Sequence, residues 1–99
     1  MVRHIVLWKL ADNAGGKTKK ENMALMKEKL EGLVGQVDGL LTAEVTENFT
    51  PGGFDLCLVS THTGRAALEG YQNHPAHLKV KEFVHTVITE RASHDTEIQ

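Results

Sequence analysis

Cysteine is nearly absent from this chain: Cys57 stands alone among 99 residues. No internal disulfide can form, and a lone thiol in an apolar run is ordinarily buried and inert. A cytoplasmic location is the matching expectation. Long hydrophobic runs are missing too. None approaches the roughly 20 residues needed to cross a bilayer, so no membrane partner is expected. The first ten residues carry Arg3, His4 and Lys9 inside an apolar stretch, with no small-residue cleavage site following them. That is unlike a secretion signal. Neither sign of charge dominates: the formal net charge is −2, with acids and bases interspersed. Such a balance leaves no electrostatic footprint for nucleic acid. What is present, 40% hydrophobic and 24% charged residues, is the composition of one globular domain. The expected extent is residues 1–99, with a core over about 2–95. A domain this small buries a modest share of its surface and gains from dimerisation.

Val2 to Leu10 is apolar, β-branched and aromatic, and predicts a strand with two largely apolar faces. One face carries Val2, His4, Val6 and Trp8, and the other carries Arg3, Ile5, Leu7 and Lys9. Met23, Met26, Leu30, Leu33 and Val37 recur at spacings of three and four, which predicts a helix from about Thr18 to Val34. Gly35 and Gly39 are read as its stop signals. A strand over Leu40–Phe49 places Leu41, Ala43, Val45 and Phe49 on one face. After a turn at Thr50–Gly53, a third strand runs from Phe54 to Thr61, and His62 is expected to end it facing solvent. Thr63 is read as the cap of a helix over Gly64–Asn73. A short helix after Pro75 and a strand over about Thr86–Ser93 complete the domain, with a loose tail after Asp95.

The order is β-α-β-β-α-β, a ferredoxin-like α+β fold. Such a fold covers one face of its sheet with helices. The other face here still carries Ile5, Leu7, Cys57 and Val59. A bare apolar face implies a partner, and a two-fold homodimer formed through the sheets is the simplest solution.

Chemistry-bearing residues concentrate in Tyr71-Gln72-Asn73-His74-Pro75-Ala76-His77. Proline suits the first turn of a helix and pushes the residue before it toward an extended conformation. His77 then falls in a first turn, whose partial positive charge favours a neutral imidazole able to accept a proton. The plainer reading is that His74 caps the helix and His77 lies on its wet side. His4, on an apolar strand face, would need a hydrogen-bond partner. His85 and His94 are expected to face solvent near element ends. Gly16-Lys17-Thr18 opens a helix after a strand, yet Ala11 stands where a phosphate-binding loop needs glycine. No metal is expected, since His74 and His77 lack further ligands at a recognisable spacing. Nothing suggests a Ser-His-Asp triad, paired carboxylates or a dinucleotide fingerprint.

Three stretches together resemble one family. They are the first strand VRHIVLWK (Val2–Lys9), the segment YQNHPAH (Tyr71–His77), and a terminal strand running into Asp95. The likeness, which covers nearly the whole chain in element order, is to the stress-responsive A/B barrel (Dabb) family. It implies a dimeric α+β barrel, in which two ferredoxin-like protomers pack their sheets and each keeps a pocket between its sheet and its helices. It also implies chemistry without a cofactor, because the family includes a plant polyketide cyclase that performs an aldol cyclisation. That enzyme's proposed catalytic tyrosine and histidine match Tyr71 and His77. Its first-strand histidine matches His4, which would line the pocket, and the first histidine of the segment matches His74, in a more structural role. Leu56 stands where the cyclase has a further pocket histidine, and Trp8 fills a position that would narrow the pocket. Two readings follow. One is a pocket for a small, partly apolar organic molecule, with His77 as base and Tyr71 polarising a carbonyl. The other is a non-catalytic stress-response or binding protein acting as a stable dimer.

Overall fold

The computed structural model describes residues 1–99, in the order β1 (Val2–Leu10), β2 (Asn13–Ala14), β3 (Lys17–Thr18), α1 (Lys19–Glu31), β4 (Leu40–Glu47), β5 (Leu56–His62), α2 (Arg65–Asn73), α3 (Pro75–Val87) and β6 (Ile88–Glu97). Four strands form an antiparallel sheet in the order β4-β5-β1-β6, which is the ferredoxin-like arrangement. The hairpin of β2 and β3 lies apart from it. Along β1 the helix-side residues Val2, His4, Val6, Trp8 and Leu10 are all buried, while Ile5, Leu7 and Lys9 between them are half-buried. The alternation follows from the period-two pleat and places the most apolar strand at the sheet centre.

α1 starts where its sequence provides a capping box. The Glu21 N–H donates to Thr18 Oγ1 at 3.2 Å, and the Thr18 N–H donates to Glu21 Oε1 at 3.1 Å. The Thr18 N–H, and next the Thr18 hydroxyl at 3.1 Å, hold the Glu21 carboxyl below its ordinary pKa. Thr18→Ala is expected to cost about 1 kcal/mol, lowering the melting temperature by roughly 4–8 °C in a domain of this size. A thermal melt checks it.

The expected apolar stripe is buried as a whole, Met23 through Val37. The helix itself, however, stops at Glu31 and not at Val34. The Glu31 carboxylate accepts from the Val45 N–H at 2.9 Å and from Lys27 Nζ at 2.7 Å, tying the last turn to β4. Leu33 and Val37 then reach the core from turns. Gly39, at φ +84°, brings the chain so close to α2 that a Cβ there would sit 2.6 Å from the Ala67 Cβ.

Three further expectations are corrected. In β4 a bulge leaves Leu41 without a partner between Leu40, opposite His62, and Thr42, opposite Thr61. One extra residue resets the alternation, so Leu40 is buried and Leu41 exposed; Phe49, beyond the strand end, is 96% exposed. Gly64, not Thr63, occupies the α2 cap position, without a side-chain bond. The last strand begins at Ile88 and continues to Glu97, because its backbone stays paired with β1 as far as Val2.

All three helices lie on one side of the sheet, over a core that includes Val6, Met26, Leu58, Leu68 and Val84. The other side presents Ile5, Leu7, Cys57 and Val59, each half-buried. No helix is long and apolar enough to cross a membrane.

Candidate functional site

Register brings the site together. His4 on β1 lies opposite Ser60 on β5 and Asp95 on β6. His62, two residues beyond Ser60, continues the buried face of β5. α2 then lays Tyr71 across these side chains. The His62 and Tyr71 ring centroids are 4.9 Å apart, and those of His4 and Tyr71 6.3 Å, both edge-on. The break between α2 and α3 returns His77 to the same place. His74 is extended, with φ −68° and ψ 135°, and its Nδ1 accepts from the Ala76 N–H at 3.0 Å, while Pro75 begins α3. The His77 and Tyr71 rings consequently stack, tilted by 34°, with centroids 4.2 Å apart.

A cavity of about 470 Å³ opens beside this cluster, between the sheet and α2 and α3. Val6, Trp8, Leu30, Leu58 and Val84 supply its apolar wall. His4, Tyr71 and His77 supply its polar wall, and Lys81, His85 and Arg91 reach it as well. An apolar wall facing convergent polar groups is the kind of surface that small-molecule sites present.

Burial sets the protonation states. Tyr71, 2% exposed, has its phenol pushed up to about 12, so it keeps its proton at neutral pH. It makes no hydrogen bond within the chain, which leaves the hydroxyl free as a donor at the cavity wall. His77 is held below the ordinary histidine range, first by burial and further by Lys81, His4 and Arg91, against a raising effect from the Gln72 carbonyl. Its Nδ1 lies 3.4 Å from that carbonyl. A hydrogen bond there requires the proton on Nδ1 and leaves Nε2 with its lone pair. His62 is pushed down to about 4, chiefly by burial and next by the neighbouring His4.

Of the residues singled out from sequence, Tyr71, His77, His4 and Trp8 converge on this cavity, and two do not. Leu56 lies at the far end of β5, opposite Trp8 and Glu47, over a different groove beside α1. His74 turns its ring to the helix end that it caps and lines a separate cleft between α1 and α3. His4 does have the partner its burial demands: its Nδ1–H donates to the Asp95 carboxylate.

Two residues emerge that sequence reasoning placed elsewhere. His62 is fully buried, with Nε2 3.0 Å from Ser60 Oγ, and does not face solvent. The inward sequence Leu56, Leu58, Ser60 pointed to it one step on. His85 is exposed, as expected, yet stands at the cavity. Asp95 was reachable only through the β1–β6 register. No group of three His, Cys, Asp or Glu side chains is placed to hold a metal ion.

Known proteins resemble this arrangement. A family model described as the Stress responsive A/B Barrel Domain matches residues 2–98. A dimeric protein of unknown function and ferredoxin-like fold from Bacteroides fragilis is 30% identical, with 98% of this chain and 95% of that chain covered and a TM-score of 0.87. A Dabb family protein from Mesorhizobium loti superimposes with a TM-score of 0.74 at 17% identity, covering 99% of this chain and 96% of its own. A hydroxynitrile lyase from Passiflora edulis does so with a TM-score of 0.77 at 17% identity, covering 99% and 93%. These last two are similar in fold alone. No curated protein sequence matches. With a family model spanning almost every residue and a 30% identical relative covered nearly end to end, this chain belongs to the stress-responsive A/B barrel (Dabb) family.

Proposed function

We propose that this protein is a homodimer whose protomers each bind a small, partly apolar carbonyl compound between sheet and helices, and act on it by acid–base chemistry without a cofactor. The observation that carries the reading is the stacked Tyr71–His77 pair, 4.2 Å between centroids, at the wall of a 470 Å³ cavity. His77, half-buried and held below the ordinary histidine range, takes a proton from the carbon beside the carbonyl through Nε2. The electron pair moves to the carbonyl oxygen, which receives the hydrogen bond of the Tyr71 hydroxyl, still protonated at neutral pH. The enolate then regains a proton from His77, or forms a carbon–carbon bond to a second carbonyl whose π electrons move to its oxygen, which takes that proton from His77. That the same fold is used by a hydroxynitrile lyase makes catalysis on small molecules compatible with the scaffold, without choosing the reaction. Dimerisation rests on the half-buried sheet face of Ile5, Leu7, Cys57 and Val59 and on the dimeric Bacteroides relative.

A second reading, a non-catalytic stress-response or binding protein, draws on the depth at which Tyr71 is packed into the core. One experiment separates the two. With an alkyl methyl ketone in D2O, the protein is expected to accelerate exchange of the protons beside the carbonyl, followed by NMR. His77→Ala should slow that exchange by about 100-fold or more. Tyr71→Phe should slow it by roughly 10–100-fold, as loss of one oxyanion donor does. Both variants should melt within a few degrees of the natural chain. Lower melting temperatures with no change in exchange would favour the non-catalytic reading.

A further inference from the structure

The cavity carries an unbalanced charge. No aspartate or glutamate lines it, although the chain has 13 acids against 11 lysines and arginines. Lys81 and Arg91 line it, and neither takes part in any ion pair of the protein. Their placement follows from two periodicities. His77, Lys81 and His85 follow one another at four-residue steps along α3 and so share one face. Arg91 lies opposite Trp8 in the β1–β6 register, on the helix side of the edge strand. The two cations thus reach the cavity from different elements, Lys81 from α3 and Arg91 from β6.

On the helix side of β6 the acids are already engaged, and Glu90, beside Arg91 but on the other face, pairs with Lys9. Asp95 accepts from His4, and Glu97 pairs with Arg65. Neither is free to balance Lys81 or Arg91. The same two cations help to hold the His77 pKa down, so their field reaches the polar wall. Further in, the surface is apolar, with Val6, Leu58 and Val84 beside the unpartnered Tyr71 hydroxyl.

From this unpaired charge over an apolar interior we infer that the ligand is an amphiphile with an anionic end. Its carboxylate sits at the opening between Lys81 and Arg91, and its largely apolar, carbonyl-bearing part points inward toward Tyr71 and His77. This rests on the proposed small-molecule pocket and assigns its ligand class. A neutral ligand would leave two cations without counter-charge as it shed water from the opening, and a cationic one would be repelled.

Octanoate, 1-octanol and octylammonium share one chain and differ in charge, so they isolate the headgroup. Trp8, the only tryptophan, lies in the cavity wall and reports binding by its fluorescence. At low salt octanoate is expected to bind about tenfold more tightly than octanol, and octylammonium more weakly than either. The advantage should shrink at high salt, because charges near the surface are screened. Lys81→Met with Arg91→Met, both exposed side chains, should abolish the advantage and leave octanol affinity unchanged. Equal binding of octanoate and octanol, preference for octylammonium, or an advantage that survives the double substitution would overturn the anionic assignment while leaving the pocket standing. Binding by none of the three would overturn the pocket itself, and this inference with it.

Discussion

A glutamate in place of Leu7 is expected to leave the protein monomeric at concentrations where the natural chain is expected to sediment as a dimer. Leu7 lies on central strand β1, on the sheet face without helices, opposite Cys57 on β5 and Ala92 on β6. Both neighbours are small, so Leu7 contributes much of the apolar relief there. In an isolated protomer the position is only half-buried, and a carboxylate there keeps most of its water. In a dimer formed through the sheets the same carboxylate would be enclosed, and two-fold symmetry would enclose two. Burying an unpaired charge costs several kcal/mol, more than a modest interface can absorb. The natural chain should sediment near twice its protomer mass of 10.9 kDa, and Leu7→Glu near 10.9 kDa with unchanged far-ultraviolet dichroism. The natural melting temperature should also rise with protein concentration, as mass action requires of a dimer. A Leu7→Glu protein that sediments like the natural chain would place the interface elsewhere.

The elements that were readable in advance are those whose burial is periodic. β1 and the Met23–Val37 stripe announce themselves because each buries one continuous set of apolar side chains. The misreadings occur where a local event resets the period. The bulge at Leu41 is invisible to an alternating pattern, since either Leu40 or Leu41 satisfies it. β6 is harder still. Its helix-side residues Arg91, Ser93 and Asp95 are polar because no helix covers that edge, so hydropathy gives no reason to extend the strand beyond Ser93.

The site divides along the same line. Tyr71, His74 and His77 were readable from one short segment because Pro75 fixes a helix start, and the capping role of His74 follows directly. His4 was readable from its apolar strand face. What the segment could not show was its company. His62 arrives from β5, Asp95 and Arg91 from β6, and Lys81 from one turn further along α3, and only register and helix docking bring them to Tyr71. His62 was lost by ending β5 one residue early, and the pairing of Asp95 with His4 by ending β6 at Ser93, four residues early. Leu56, chosen by likeness to a relative, lies over another groove.

His62 should make the fold sensitive to acid. It is fully buried; Nε2 has Ser60, while Nδ1 has no partner, so a second proton would have to be carried in a dry site. Burial and the nearby His4 push its pKa down to about 4, against an opposing pull from Asp95. An unfolded chain returns it to about 6.5. Between those values the unfolded state binds the proton and the native state does not, so stability falls as the pH is lowered. The contribution is fully present above pH 6.5 and is lost progressively as the pH drops through the folded pKa near 4. His77, also depressed by burial, adds in the same direction. The melting temperature is expected to drop by the order of 10 °C across this window, given how steeply small domains convert free energy into temperature. His62→Leu removes the titrating group while filling similar space, and its melting temperature should decline less over the same range. The comparison to make is the difference between the two curves, because other groups titrate identically in both. If the curves stay parallel from pH 7 to pH 4, the buried imidazole is not what couples this fold to protons.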